Sequence, residues 1–228
     1  MVVGAILLVQ ITSAQTNTSP DPADQNPAQV NPPTTETSKR IAGFIPNYRT
    51  TTIPDPYVPL TTKQKFGTAT QDSFDPGNFI LVGIMAGTGQ ATDSNPSFGQ
   101  GGKGYAHRFA TAYADNVIGN YLTEGIYPTL FHHDPRYFVR GKGSGWSRLG
   151  YAMGQIFMSH DDEGHPVANY SELLGNATAV AIGTAYYPDG RNASDAATKW
   201  ATQLGIDMFG NVLKEFWPDI RRKVFHKE

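Results

Sequence analysis

The sequence predicts an all-α fold: an irregular bundle of about five helices behind a disordered or extended N-terminal arm. Three observations predict it. Apolar residues recur at steps of three and four through 105–130, 170–187 and 198–217, the spacing of helices that bury one face. Gly and Ala are laced through the same stretches at near-turn intervals, which lets helix backbones approach closely. Capping residues and Pro or Gly stops bracket most of them.

Residues 1–11 are apolar, and Thr12-Ser13-Ala14-Gln15 places small residues where a signal peptidase would cut after Ala14. The run is too short to span a bilayer, so 1–14 read as a signal peptide, although no Lys or Arg precedes the apolar part. Residues 15–38 are Thr, Asn, Gln and Pro with a few acids, a composition that cannot offset its own ordering entropy and reads as a flexible linker. In 39–71 Pro and Thr persist while Ile41, Phe44, Tyr48 and Tyr57 appear. This segment reads as an extended arm that docks through its aromatic residues. The helical domain is expected over 72–220, with a basic tail at 221–228.

Within that domain, the short apolar run 78–86 is flanked by breakers, and context favours a helix. Residues 88–103 read as a Gly-rich loop. The first long helix starts at Tyr105, with Ala106, Phe109, Ala110, Tyr113, Val117 and Tyr121 on one side. Pro128 should kink or restart it, and Asp134 before Pro135 reads as a helix cap. A helix over 146–158 carries Gly150 and Gly154. The next opens at Asn169 with Glu172 three residues on, and carries Gly175, Ala179 and Gly183 in steps of four. These five small residues are the expected points of close helix packing. The last helix is expected to stop at Trp217-Pro218.

Formal net charge is -2, which gives no global attraction to nucleic acid. Cysteine is absent, so packing must replace disulfides. No uninterrupted apolar run reaches transmembrane length. An outer-membrane β-barrel is disfavoured by the three- and four-residue apolar steps.

Candidate chemistry is sparse. His132, His133 and Asp134 carry ligand-type side chains, and Glu124 or Asp207 can supply proton transfer nearby. Adjacent histidines diverge, however, and neither a His-x-x-x-His pair nor a Glu-x-x-His repeat is present. No metal or cofactor is assigned. Lys199, Gln203, Asp207, Asn211 and Lys214 share one helical face, read as solvent-facing. The alternative is a buried polar network with Glu172 and Asn176, which is costly unless every member is satisfied. Arg136, Arg140, Lys142 and Arg148, interleaved with Trp146, suit an anionic lipid surface. Gly-x-Ser-x-Gly and phosphate-loop spacings are missing.

The strings GKGYAHRFATAYADNVIGNYLTEGIYPTLFHHDPRYF, NYSELLGNATAVAIGTAYYP and IDMFGNVLKEFWPDI resemble an exported bacterial family, abundant in soil acidobacteria, with no assigned activity. The resemblance covers roughly 98–220. It implies one domain behind a signal and transfers no catalytic residue. The expected protein is an exported helical envelope component, periplasmic or outer-membrane associated. It would act by interaction with an anionic lipid surface or another envelope protein, not with nucleic acid. The alternative is a metal-dependent, hydrolase-like enzyme with its site near His132 and His133.

Overall fold

Helix formation begins earlier than the Pro/Thr content suggests. In the computed structural model, which describes residues 39–43 and 45–225, helix α1 spans Thr62–Phe74. Its start is a reciprocal capping box: Gln64 N donates to Thr61 Oγ1 (3.3 Å), and Thr61 N donates to Gln64 Oε1 (2.9 Å). The arm is therefore extended only to residue 61, a correction to the expected boundary. The signal and linker readings, Phe44 and the last three residues of the tail lie outside the described residues.

Asp75 separates α1 from α2 (Pro76–Ala91), accepting a bond from Gly77 N (2.6 Å) with Pro76 in the first turn. The apolar run 78–86 is thus helical. The same carboxylate takes Arg40 Nη2 and Tyr48 Oη, each at 2.6 Å, and so fastens the arm to the α1–α2 corner. The arm itself forms a small antiparallel pair, β1 (Arg40–Ile41) with β2 (Ile45–Pro46). Its β3 (Thr50–Thr51) then lies parallel to β5 (Tyr137–Phe138).

Helix α3 (Gly101–Asn120) runs without a break into a π-helical turn, Tyr121–Ile126, and then α4 (Tyr127–Leu130). Pro128 explains the wide turn. In α register it lacks the N–H for the Glu124 carbonyl and its ring crowds that oxygen. Shifting the ladder by one residue, with Tyr127 N bonding Leu122 O, avoids the conflict. The helix neither restarts nor stops here.

Asp134 is not a helix cap. It lies in β4 (His133–Asp134), paired with β6 (Met158–Asp161), which also pairs β7 (Pro166–Ala168). Its carboxylate is needed elsewhere, by Arg136 and Tyr57. Helix α5 (Gly145–Gly154) ends short of residue 158, because Asn169 Nδ2 takes the Gln155 carbonyl (3.1 Å) and Asn169 N takes that of Phe157 (2.9 Å).

Helix α6 (Tyr170–Tyr186) and the long α7 (Ala193–Phe225) complete the all-α bundle. Pro218 sits inside α7 rather than ending it. Pro218 deprives the Lys214 carbonyl of its N–H partner, and next to it Arg148 Nη2, from α5, donates to the Glu215 carbonyl (2.5 Å). Among the described residues, fifteen polar or charged residues are buried against ten hydrophobic ones. Most interiors have the opposite balance, so the polar groups must be accounted for.

Candidate functional site: a buried charged cavity

Part of the polar interior lines a cavity of about 230 Å³ between α1, α3, the π turn, α6 and α7. Each wall delivers one charge or amide for a local reason. The wide turn holds Glu124, which is 0% exposed. Asp72 comes from the last turn of α1, Glu172 from the first turn of α6, and Asp207 and Lys214 from positions about two turns apart on α7. The arm, fixed between β2 and β3, inserts Arg49.

Arg49 Nε stands 3.1 Å from Glu124 Oε1 and 3.4 Å from Asp72 Oδ2. These are ion-pair contacts without hydrogen-bond geometry. Arg49 Nε, Asp72 Oδ1 and both oxygens of Glu124 have no hydrogen-bond partner among the described residues. On the other side, Asn176 Nδ2 donates to Glu172 Oε1 and to Asp207 Oδ2, both at 3.1 Å. Gln203 Nε2 supplies Asp207 Oδ1 at 3.0 Å. Above them, Asn78 Nδ2 donates to Asn116 Oδ1 (2.8 Å), as does Asn120 Nδ2 (3.2 Å).

Burial penalises the charged form of each acid. It pushes Glu124 well above the usual carboxylate range, opposed by Arg49 and reinforced by the neighbouring Asp72 charge. Asp72 is raised by the same burial, against the pull of Arg49 and Lys214. Asp207 is pushed up to about 7 by burial and then by the Glu172 charge. Burial, then the Arg49 charge, lowers Lys214 to about 8. With Asp134 and Arg136, five carboxyl groups and three cations are thus interleaved, and burial biases Glu124, Asp72 and Asp207 toward their neutral forms.

Glu124 and Asp207, two of the four residues weighed for chemistry, meet in this cavity. His132 and His133 do not line it. His132 is 81% exposed, with Nδ1 3.7 Å from Asp162. His133 is buried in β4, where Nδ1 lies 3.0 Å from Ser171 Oγ. Burial, then the Lys65 charge, lowers its pKa. Ser171 is on the cavity wall, but no carboxylate hydrogen-bonds His133 among the described residues, so the pair lacks the group that orients a catalytic imidazole.

Asp161, Glu163 and His165 are the described residues whose potential ligand atoms come within 4.8 Å of one another as a group. Asp161 there holds the turn, accepting from Glu163 N (2.9 Å) and His165 N (2.8 Å).

The polar face of α7 is corrected from solvent-facing to cavity-facing at Asp207, Asn211 and Lys214. The helical face was readable from spacing; its orientation was not. Arg49 carried no signal at all, since it lies in a Pro/Thr-rich arm.

The basic–aromatic group divides. Arg136 is held by Asp134, with Nε at 2.9 Å and Nη2 at 2.5 Å, and by the Val58 carbonyl. Arg148 pairs with Glu215 (2.7 Å) and with Asp219. Only Arg140, Lys142 and Trp146 of the five remain at the surface, the tryptophan 84% exposed. Of the small residues, Gly175 abuts the π turn, where an added Cβ would lie 2.7 Å from Thr123 Cγ2. Gly183 faces Asp115 at 3.2 Å, whereas Gly150 and Gly154 face open space and are not close-packing points. Ala179 sits half-buried between the two α6 glycines.

No family model, curated protein or solved structure matches the chain.

Proposed function

We propose that the protein is an exported helical module of the cell envelope, periplasmic or outer-membrane associated, that lies against and partly enters a lipid bilayer. One observation carries this reading. Helix α2, residues 173–186 of α6 and residues 200–213 of α7 have no exposed charge, yet present large apolar side chains outward. Phe79, Ile80, Ile84 and Met85 on α2, Leu174 and Ile182 on α6, and Ile206 and Phe209 on α7 are all exposed.

A protein partner covers one patch, whereas lipid solvates every outward face, and these residues are spread over three helices. Charge collects at the ends instead. Ser97 N bonds Asp189 (3.1 Å), joining the α2–α3 and α6–α7 turns, with Asp93, Lys103 and Arg191 close in sequence. Helix α2 is about 24 Å long at 1.5 Å per residue, shorter than the roughly 30 Å hydrocarbon core. Among the described residues no helix is long and apolar enough to cross a membrane.

Flotation of the purified chain with phosphatidylcholine vesicles and with phosphatidylglycerol vesicles, at low and high salt, tests the reading. Binding to both, retained at high salt, is expected. Binding to the anionic vesicles alone, and only at low salt, would shift the contact to Arg140, Lys142 and Trp146. Failure to float with either would remove the proposal. Chemistry centred on His132 and His133 finds less support, one side chain being exposed and the other bound to Ser171.

A further inference from the structure

We propose that the charged cavity is a binding site for an uncharged polyhydroxylated molecule, a sugar or sugar-like polyol. The inference does not depend on membrane association. It starts from Glu124, a fully buried carboxyl on the cavity wall that has Arg49 and Asp72 as neighbours but receives no aligned hydrogen bond among the described residues. Leaving such a group without aligned partners is costly, so the site calls for groups that hydrogen-bond it. Arg49 Nε is ion-paired with Glu124 and Asp72 but makes no aligned hydrogen bond, so a ligand that also accepts suits it.

Charge narrows the class. Five carboxyl groups disfavour an anion, while Arg49, Arg136 and Lys214, set among them, disfavour an organic cation. A metal ion needs converging oxygens, and no three of these carboxyl groups approach one another closely enough to hold one. Hydroxyl groups donate and accept from the same atom and carry no charge. Leu81 and Met158 line the same space, and offer apolar surface to the C–H groups of a ring. The volume, about 230 Å³, suits a single ring rather than a chain.

Calorimetric titration of the full chain with glucose, N-acetylglucosamine and myo-inositol tests this, with inorganic phosphate and magnesium chloride as contrasting probes. Saturable binding of at least one of the three polyols is expected, and protection from hydrogen exchange in Tyr121–Ile126 of the unaltered protein would locate it. Gly210 lines the cavity and has nothing within 4 Å of an added Cβ, so Gly210→Leu should fill the space without removing a charge. That variant and Glu124→Gln should each weaken binding at least about tenfold, roughly 1.4 kcal/mol, with helicity unchanged by circular dichroism. The proposal is overturned if no polyol binds at about 10 mM, roughly the weakest useful affinity. It is equally overturned if phosphate or magnesium occupies the site instead, or if a folded Gly210→Leu binds as well as the parent. The exchange measurement decides the location should either variant fail to fold.

Discussion

At the scale of single residues, the cavity acids give the molecule an unusual pH response. A carboxyl whose folded pKa is raised holds its proton while the unfolded chain releases it, so stability falls as pH rises between the two values. For Asp207 that window runs from about pH 4 to about 7, and Glu124 and Asp72 act in the same direction. Lys214 has the opposite sign. Its amine, lowered to about 8, is lost from the folded state first, so its penalty is relieved as pH climbs from about 8 toward its ordinary value. The cavity's contribution therefore passes through a minimum near pH 7–8. Urea midpoints across pH 4–10 should show it, and Asp207→Asn should flatten the acid limb and gain on the order of 1–3 kcal/mol at pH 8. A limb unchanged by Asp207→Asn would mean that this carboxyl does not hold its proton. A different balance holds at Glu215, 0% exposed. It accepts from Arg148, Tyr137 Oη and the backbone N–H groups of Arg140 and Gly141. Arg148→Ala should cost about 3–5 kcal/mol, because the remaining charge stays buried with its cation gone. An equilibrium unfolding curve coincident with the parent's would contradict that.

At the scale of elements, glycines that look alike in the sequence separate by what stands opposite them. Gly175→Ala puts a methyl against Thr123 and should lose about 1–3 kcal/mol despite the better helix propensity. Gly150→Ala, facing open space on α5, should gain about 0.5–1 kcal/mol. Thermal midpoints moving the same way in both variants would refute the distinction. Most of the helical plan was legible, because three- and four-residue periodicity and caps such as Asn169 are local. Helix α1 hid behind its Thr content although Thr61 and Gln64 carry a capping-box signature. The ends of α5 and α7 were misplaced for a non-local reason. Helix α5 stops at Gly154 where Asn169 arrives from elsewhere to take the Gln155 and Phe157 carbonyls, and α7 runs on through Pro218 with Arg148 bonded to the neighbouring Glu215 carbonyl. The short strands were invisible, since two-residue pairings such as Thr50 with Tyr137 have no period to read.

At the scale of the whole molecule, Glu124 and Asp207 were individually noticed, but nothing in the sequence places Arg49 between them, so the cavity emerges only from the assembled fold. With charge inside and apolar faces outside, the chain in plain buffer should self-associate and become monomeric in mild detergent. Size exclusion with light scattering distinguishes this from a protein that is monomeric in both, the result that would count against exposed apolar faces as lipid contacts. The N-terminal arm adds a matter of timing. Residues 40–51 emerge from the ribosome before any helix of the bundle, yet β3 pairs with β5 roughly ninety residues later, and Arg49 meets Glu124 only after the π turn exists. This segment, made before the helices, is therefore among the last to find its place. Until it docks, Glu124 and Asp72 have no Arg49 charge opposite them.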